Sequence, residues 1–161
     1  MACSPCFDCA QHERCFWSVR LVTLIRFRTD EAHEEPAVTL DAFLGQSNAT
    51  AVRIEPGEDA RKLLPFLDRL QLIEIAFPKF RDGRGYSSAR ILREAGFTGE
   101  LRAAGDVLLD QVVILRRCGF DVLASDHMLD RAKVDEALAR FPAVYQKAAD
   151  SKPPVWALRH G

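Results

Sequence analysis

From Val52 to about Gln146 the chain keeps returning to one pattern: a short β-branched run, a polar turn, a capped amphipathic stretch and a glycine that ends it. Val52-Arg53-Ile54 is a brief strand, Pro56-Gly57 a turn, and Glu58 to Leu70 is helical through Leu63, Leu64, Leu67 and Leu70, with Pro65 set to split or kink it. Leu72 to Phe77 has the composition of a buried strand. Ser87 is placed to cap a helix through Ala95, which Gly96 stops. Gly99 to Ala104 is the next strand, Asp106 the cap of a helix through Cys118, and Gly119 its stop. Phe120 to Ala124, the loop Ser125 to Asp130 and a helix from Arg131 to Phe141 repeat the pattern, and Ala143 to Gln146 adds a last short strand. This alternation predicts an α/β fold, a parallel sheet built from repeated βα units with right-handed crossovers. The sequence does not separate an open sheet from a partial barrel. In both, ligands bind at the carboxyl ends of the strands, which gathers Pro78–Tyr86, Gly105–Asp106 and Ser125–Asp130 at one end.

A chain of 161 residues is of single-domain length, and 16–150 reads as that domain. Phe16 to Phe27 forms a short N-terminal β segment. The acidic stretch from Asp30 to Glu35 is a loop closed by Pro36, and Val38 to Leu44 is a short apolar element of open type. Residues 1–15 are Cys-rich, without helix or strand signal, and read as a disordered extension. The tail 151–161, with Pro153-Pro154, reads as loose.

Composition narrows the partners. With 22 basic and 23 acidic residues the net charge is −1, so no global field draws nucleic acid or an anionic membrane, and recognition of an anion must come from a local cluster. No apolar run approaches the roughly 20 residues of a membrane helix. Met1-Ala2-Cys3-Ser4-Pro5-Cys6 lacks the layout of a secretory signal, so the expected compartment is the cytoplasm, where the five cysteines stay reduced unless a metal takes them. Cys3, Cys6, Cys9 and Cys15 are spaced as C-x2-C-x2-C-x5-C, a pattern able to hold zinc or an iron–sulfur cluster. The last gap is longer than in a bacterial ferredoxin run and no proline follows it, so metal binding is the weaker reading there. Cys118, at the end of a helix, reads as packing.

The segment Phe77-Pro-Lys-Phe-Arg-Asp-Gly-Arg-Gly-Tyr-Ser-Ser88 puts three cations in one strand-to-helix loop. Unpaired N–H groups at a helix start favour anions, Ser87 and Ser88 can add donors, and Arg84 can offer a bidentate fork to sulfate, sulfite, phosphate or carboxylate. Lys79 is the second inward cation, while Gly83 and Gly85 let the backbone turn beneath the ligand. The plainer reading makes Asp82-Gly83 a turn and Ser87 a cap. A second constellation is Arg102, Gly105, Asp106, Asp110 and Gln111. Asp106 and Asp110, four apart on one helix face and within reach of Arg102, can act as acid and base or hold a hard cation, and Gln111 can orient substrate or water. Structurally the same residues are a cap and an ion pair, and that reading weighs more. Asp126-His127 on the next loop can complete such a site.

These segments also carry a resemblance. Phe77-Pro-Lys-Phe-Arg-Asp-Gly-Arg-Gly-Tyr-Ser, Gly99-Glu-Leu-Arg-Ala, Gly105-Asp-Val-Leu, Asp110-Gln111 and Arg117-Cys-Gly-Phe-Asp121 are similar to bacterial domain-of-unknown-function family 934, over about Val38 to Gln146. The resemblance implies genes placed beside sulfite reductase and phosphoadenylylsulfate reductase, and a label of oxidoreductase in sulfite reduction. The matching positions are Lys79, Asp82, Gly83, Arg84, Tyr86, Ser87, Arg102, Gly105, Asp106, Asp110 and Gln111. The Cys-rich start has no counterpart in the pattern.

Two classes of function follow. One is an accessory protein of assimilatory sulfate and sulfite reduction with an anion site at the strand ends, binding a sulfur oxyanion, a nucleotide or the reductase itself. The other is a small enzyme, with Asp106 or Asp110 as acid/base and Arg84 and Arg102 holding an anionic substrate. No cofactor is assigned to either.

Overall fold

The computed structural model describes residues 22–30, 33, 36–45, 48–150 and 152–159. The four cysteines of the N-terminal cluster lie outside them. Six strands form one sheet: β1 (Thr23–Arg26), β2 (Val38–Thr39), β3 (Ala51–Ile54), β4 (Leu72–Phe77), β5 (Glu100–Gly105) and β6 (Val122–Ser125). Their order across the sheet is β1-β6-β5-β4-β3-β2. The strands from β2 to β6 are parallel neighbours in chain order, and β1 runs antiparallel to β6. With β1 and β2 as its two edges the sheet is open, which settles the alternative of a partial barrel.

A 3-10 helix (Ala60–Arg69) links β3 to β4, α2 (Arg84–Glu94) links β4 to β5, and a 3-10 turn (Leu109–Gln111) followed by α3 (Val112–Cys118) links β5 to β6; α4 (Arg131–Ala139) follows. Right-handed crossovers between strands in sequential order put every connection on the same face of a sheet. The core agrees: Ile73, Ile75 and Phe77 of β4, and Leu101 and Ala103 of β5, pack with Leu63, Ala89, Leu92, Leu115 and Val134 of the helical layer. The alternate residues Glu74, Ala76, Arg102 and Ala104 therefore line the opposite face.

Two details here differ from the sequence reading, and a third fills in a type it left open. Pro65 does not kink an α-helix. Its missing N–H goes with a run of 3-10 geometry, capped by Asp59, whose carboxylate accepts from Arg61 N (3.0 Å). Val38 to Leu44 divides into β2 and a short α1 (Leu40–Gly45), with the Thr39 hydroxyl accepting from Ala42 N (3.3 Å). In the segment Ala143 to Gln146, Val144 makes only an isolated bridge to Pro154, and Val155 N donates to Val144 O (2.8 Å). Among the described residues no helix is long and apolar enough to cross a membrane.

Candidate functional site

The carboxyl ends of β4, β5 and β6 are tied by their backbones: Asp106 N donates to Phe77 O (2.7 Å) and Asp126 N to Gly105 O (2.8 Å). Gly105 makes this joint possible. Its φ is +117°, and a Cβ there would sit 2.4 Å from the Phe77 carbonyl oxygen. The chain turns sharply at that point and delivers Asp106 beside the neighbouring loops. One oxygen of its carboxylate accepts from Phe80 N (2.9 Å), and the other lies 2.6 Å from Nε2 of His127. Those two contacts, the imidazole first, hold the Asp106 carboxyl below its ordinary range. His127 is itself set in place from beneath: its backbone N–H donates to the Ser125 hydroxyl (2.9 Å), which is fully buried and donates to Val107 O (2.7 Å).

The pair borders a cleft of about 600 Å³, lined also by Arg53, Glu55, Ala76, Pro78 and Asp126. Its floor is low because Ala76 and Ala104 stand where larger side chains would fill the face of the sheet opposite the helices. Arg53 and Glu55 of the lining begin a chain of ion pairs that runs away from the cleft across the strands: Arg53 to Glu55 and to Glu74 (both 2.6 Å), Glu74 to Arg102 (3.7 Å), Arg102 to Glu100 (2.7 Å) and Glu100 to Arg26 of β1 (2.9 Å). An imidazole held against a carboxylate at the edge of such a cleft is equipped to hold and move a proton.

Residues 51–156, which include every residue lining the cleft, match the model of a family described as bacterial protein of unknown function, DUF934. The chain belongs to this family. No significant match to a curated protein or to a solved structure accompanies it. The DUF934 match begins at β3, so β1, β2 and the Cys-rich start precede it.

Within the DUF934 region the structure separates the residues that the sequence groups together. Asp106 is in the cleft. It does not cap α3: the chain first makes the 3-10 turn, and Gln111 stands before Val112 with no side-chain cap. Asp110 is exposed on that turn and is not among the cleft residues. Gln111 is a brace, accepting from Leu108 N (3.2 Å) and donating to Phe80 O, so it fixes the loop that meets Asp106. Arg102 lies mid-strand on the open face, paired with Glu100 and Glu74, and it donates to His33 O (3.0 Å) rather than reaching either aspartate.

The cationic loop supplies its own anion. The Asp82 carboxylate accepts from Arg84 Nη2 (2.6 Å), Arg84 Nε (2.9 Å) and Arg84 N (3.2 Å), and these contacts bring Asp82 from 3.8 to about 2. α2 consequently starts at Arg84, with Gly83 as its cap and no side-chain cap bond, and Ser87 sits exposed within the helix. Gly85 is where it is for packing, since a Cβ would lie 2.5 Å from Phe77 Cζ. Tyr86 rests half-buried on the Phe77 ring (centroids 5.5 Å apart), and burial pushes its phenol up. Lys79 is exposed beside Phe80 and makes no ion pair among the described residues. No group of three or more metal-binding side chains occurs among those residues. Cys118 is half-buried, and burial raises its thiol away from the reactive thiolate form.

Asp126 and His127 were named as able to complete a site, whereas Arg53 and Glu55 were not legible by motif. One signal does mark the face they belong to. Arg53 and Glu74 are each the one charged residue of their strands, Arg102 alternates with Glu100 on the next, and Arg53, Glu74 and Arg102 fall in register on adjacent strands. A second, polar side of the sheet is written there in a period of two.

Proposed function

We propose that this DUF934 protein acts on a small molecule held in the cleft at the carboxyl ends of β3 to β6, with Asp106 and His127 as its proton-holding pair. Of the two classes drawn from the sequence, this is the small acid/base enzyme, with His127 taking the part given to Asp110. The carrying observation is the 2.6 Å contact between Asp106 and His127 at the cleft edge. The reading treats the strands as successive βα units, whose carboxyl ends are where such sheets hold ligands. The lining sets Glu55, Asp106 and Asp126 against Arg53 and His127, so it suits a ligand that brings hydrogen-bond donors as well as any negative charge.

A second reading is the accessory protein of sulfate and sulfite reduction, which binds a sulfur oxyanion and works with sulfite reductase or phosphoadenylylsulfate reductase in the cytoplasm. The gene association implied by the resemblance supports it. So do the exposed cations Lys79 and Arg81, which flank Phe80 where its N–H meets Asp106.

Thermal unfolding against sulfite, sulfate, phosphate, phosphoadenosine phosphosulfate, NADPH and flavin separates the two. A ligand at about 100 times its Kd adds about 2.7 kcal/mol, or about 5–10 °C for a chain of this size. A shift abolished by His127→Gln and kept in Lys79→Ala/Arg81→Ala supports the cleft and gives the ligand class. A shift abolished only by the loop variants supports the accessory reading. A shift that survives both sets overturns both sites.

A further inference from the structure

Glu55 and Ala76 are walls of two hollows at once. One is the cleft; the other, of about 300 Å³, lies between the loop that leaves β3 and the first turns of α2. Pro56 and Ile91, both half-buried, give the smaller hollow apolar walls. Arg84 reaches across it from α2 to the loop, where its Nη1 lies 3.2 Å from the place a Cβ on Gly57 would take.

Charge decides what this hollow refuses. The acids around it are Glu55, Glu58 and Asp59, and the bases are Arg61 and Arg84. Arg84 is already answered by Asp82 (2.6 Å), Arg61 by Asp59 (3.6 Å) and Glu55 by Arg53 (2.6 Å). Glu58 accepts from Glu55 N (2.6 Å) and has no ion pair among the described residues. A phosphate or sulfate placed here would meet one unanswered carboxylate and no unanswered cation. Three groups still have hydrogen-bonding capacity to spare. Arg84 spends Nε and Nη2 on Asp82 and keeps Nη1, the Ser87 hydroxyl has no partner among the described residues, and the Glu58 carboxylate can accept further bonds. Donors and acceptors mixed over apolar walls match the hydroxyls and C–H faces of a sugar ring.

We propose that the smaller hollow holds the sugar of an uncharged glycoside, nucleosides included, whose second group passes over Glu55 and Ala76 to lie beside Asp106 and His127. The inference rests on the reading of the cleft as the reacting site, and it adds the substrate class. A phosphorylated sugar is disfavoured by Glu58.

Amide chemical-shift mapping on the full chain tests this with D-ribose, ribose 5-phosphate and adenosine as probes. Ribose should move Gly57, Glu58 and Ser87, and ribose 5-phosphate should bind about tenfold more weakly. Adenosine should bind about tenfold more tightly than ribose, with shifts that spread to Gly105, Asp106 and His127. Ser87→Leu, at an exposed helix position, should fill the hollow and remove the ribose shifts while circular dichroism stays unchanged. Glu58→Gln, which keeps an acceptor for Glu55 N, should bring ribose 5-phosphate close to ribose. His127→Gln should remove only the adenosine shifts in the cleft. Absence of ribose shifts at these residues, equal binding of ribose and its phosphate, or adenosine shifts confined to one hollow overturns the proposal. Cleft shifts that survive His127→Gln would remove the reading beneath it, and the proposal with that reading.

Discussion

Two aspartates in neighbouring loops show how one side-chain type takes different work from its contacts. Asp82 is spent on Arg84: guanidinium and backbone N–H together bring its carboxyl to about 2. A carboxyl depressed on folding stabilises the protein above its ordinary range and loses that contribution as pH falls from 3.8 towards 2. Carbon-detected NMR titration should place Asp82 near 2, and Arg84→Gln should return it towards 3.8; an unmoved titration in the variant would deny the pairing. Asp106 is depressed by the imidazole of His127 first and by Phe80 N–H second. His127→Gln should therefore raise its titration without abolishing the depression, since the Phe80 bond remains. Motif reading saw cations in the Asp82 loop and inferred a site. It had no means of seeing that an aspartate two positions away already satisfies Arg84.

The strands and helices are held in register by a buried charge at the start of β6. Asp121 accepts from Leu101 N of β5 (3.1 Å), from Arg93 of α2 and from Arg116 of α3 (3.4 Å), with Arg28 after β1 at 3.5 Å. Burial lowers the Arg93 guanidinium from its ordinary value, and Asp121 acts against that shift. Removing the acceptor leaves these cations facing one another, so Asp121→Ala should cost about 3–5 kcal/mol in chemical denaturation. A loss below about 1 kcal/mol would reduce the cluster to a surface-type ion pair. The sequence announced strands at Leu72 to Phe77, Gly99 to Ala104 and Phe120 to Ala124, which form at Leu72–Phe77, Glu100–Gly105 and Val122–Ser125, and helix stops at Gly96 and Gly119, which both take a positive φ. It did not announce Asp121 as a hub, because the partners lie 5 to 93 residues away along the chain.

Taken together, sequential strand order gives the molecule two unlike sides. Helices and core occupy one; the other carries the ion-pair chain and, at the strand ends, the cleft. Carboxyl-end loops were readable as the place for a site, since that follows from parallel strands alone. Which loop residues turn inward was not, because that depends on the Gly105 turn and on Ser125 fixing His127 from below. Asp106 was named from its spacing to Asp110, yet its partner is His127, on the loop after the neighbouring strand. Amide chemical-shift mapping under titration with whichever ligand raises the unfolding temperature tests the assignment of the cleft most directly. The largest shifts should fall at Arg53, Gly105, Asp106, Asp126 and His127, and vanish in His127→Gln. Shifts centred on Arg84 to Ser88, unchanged by that substitution, would contradict it.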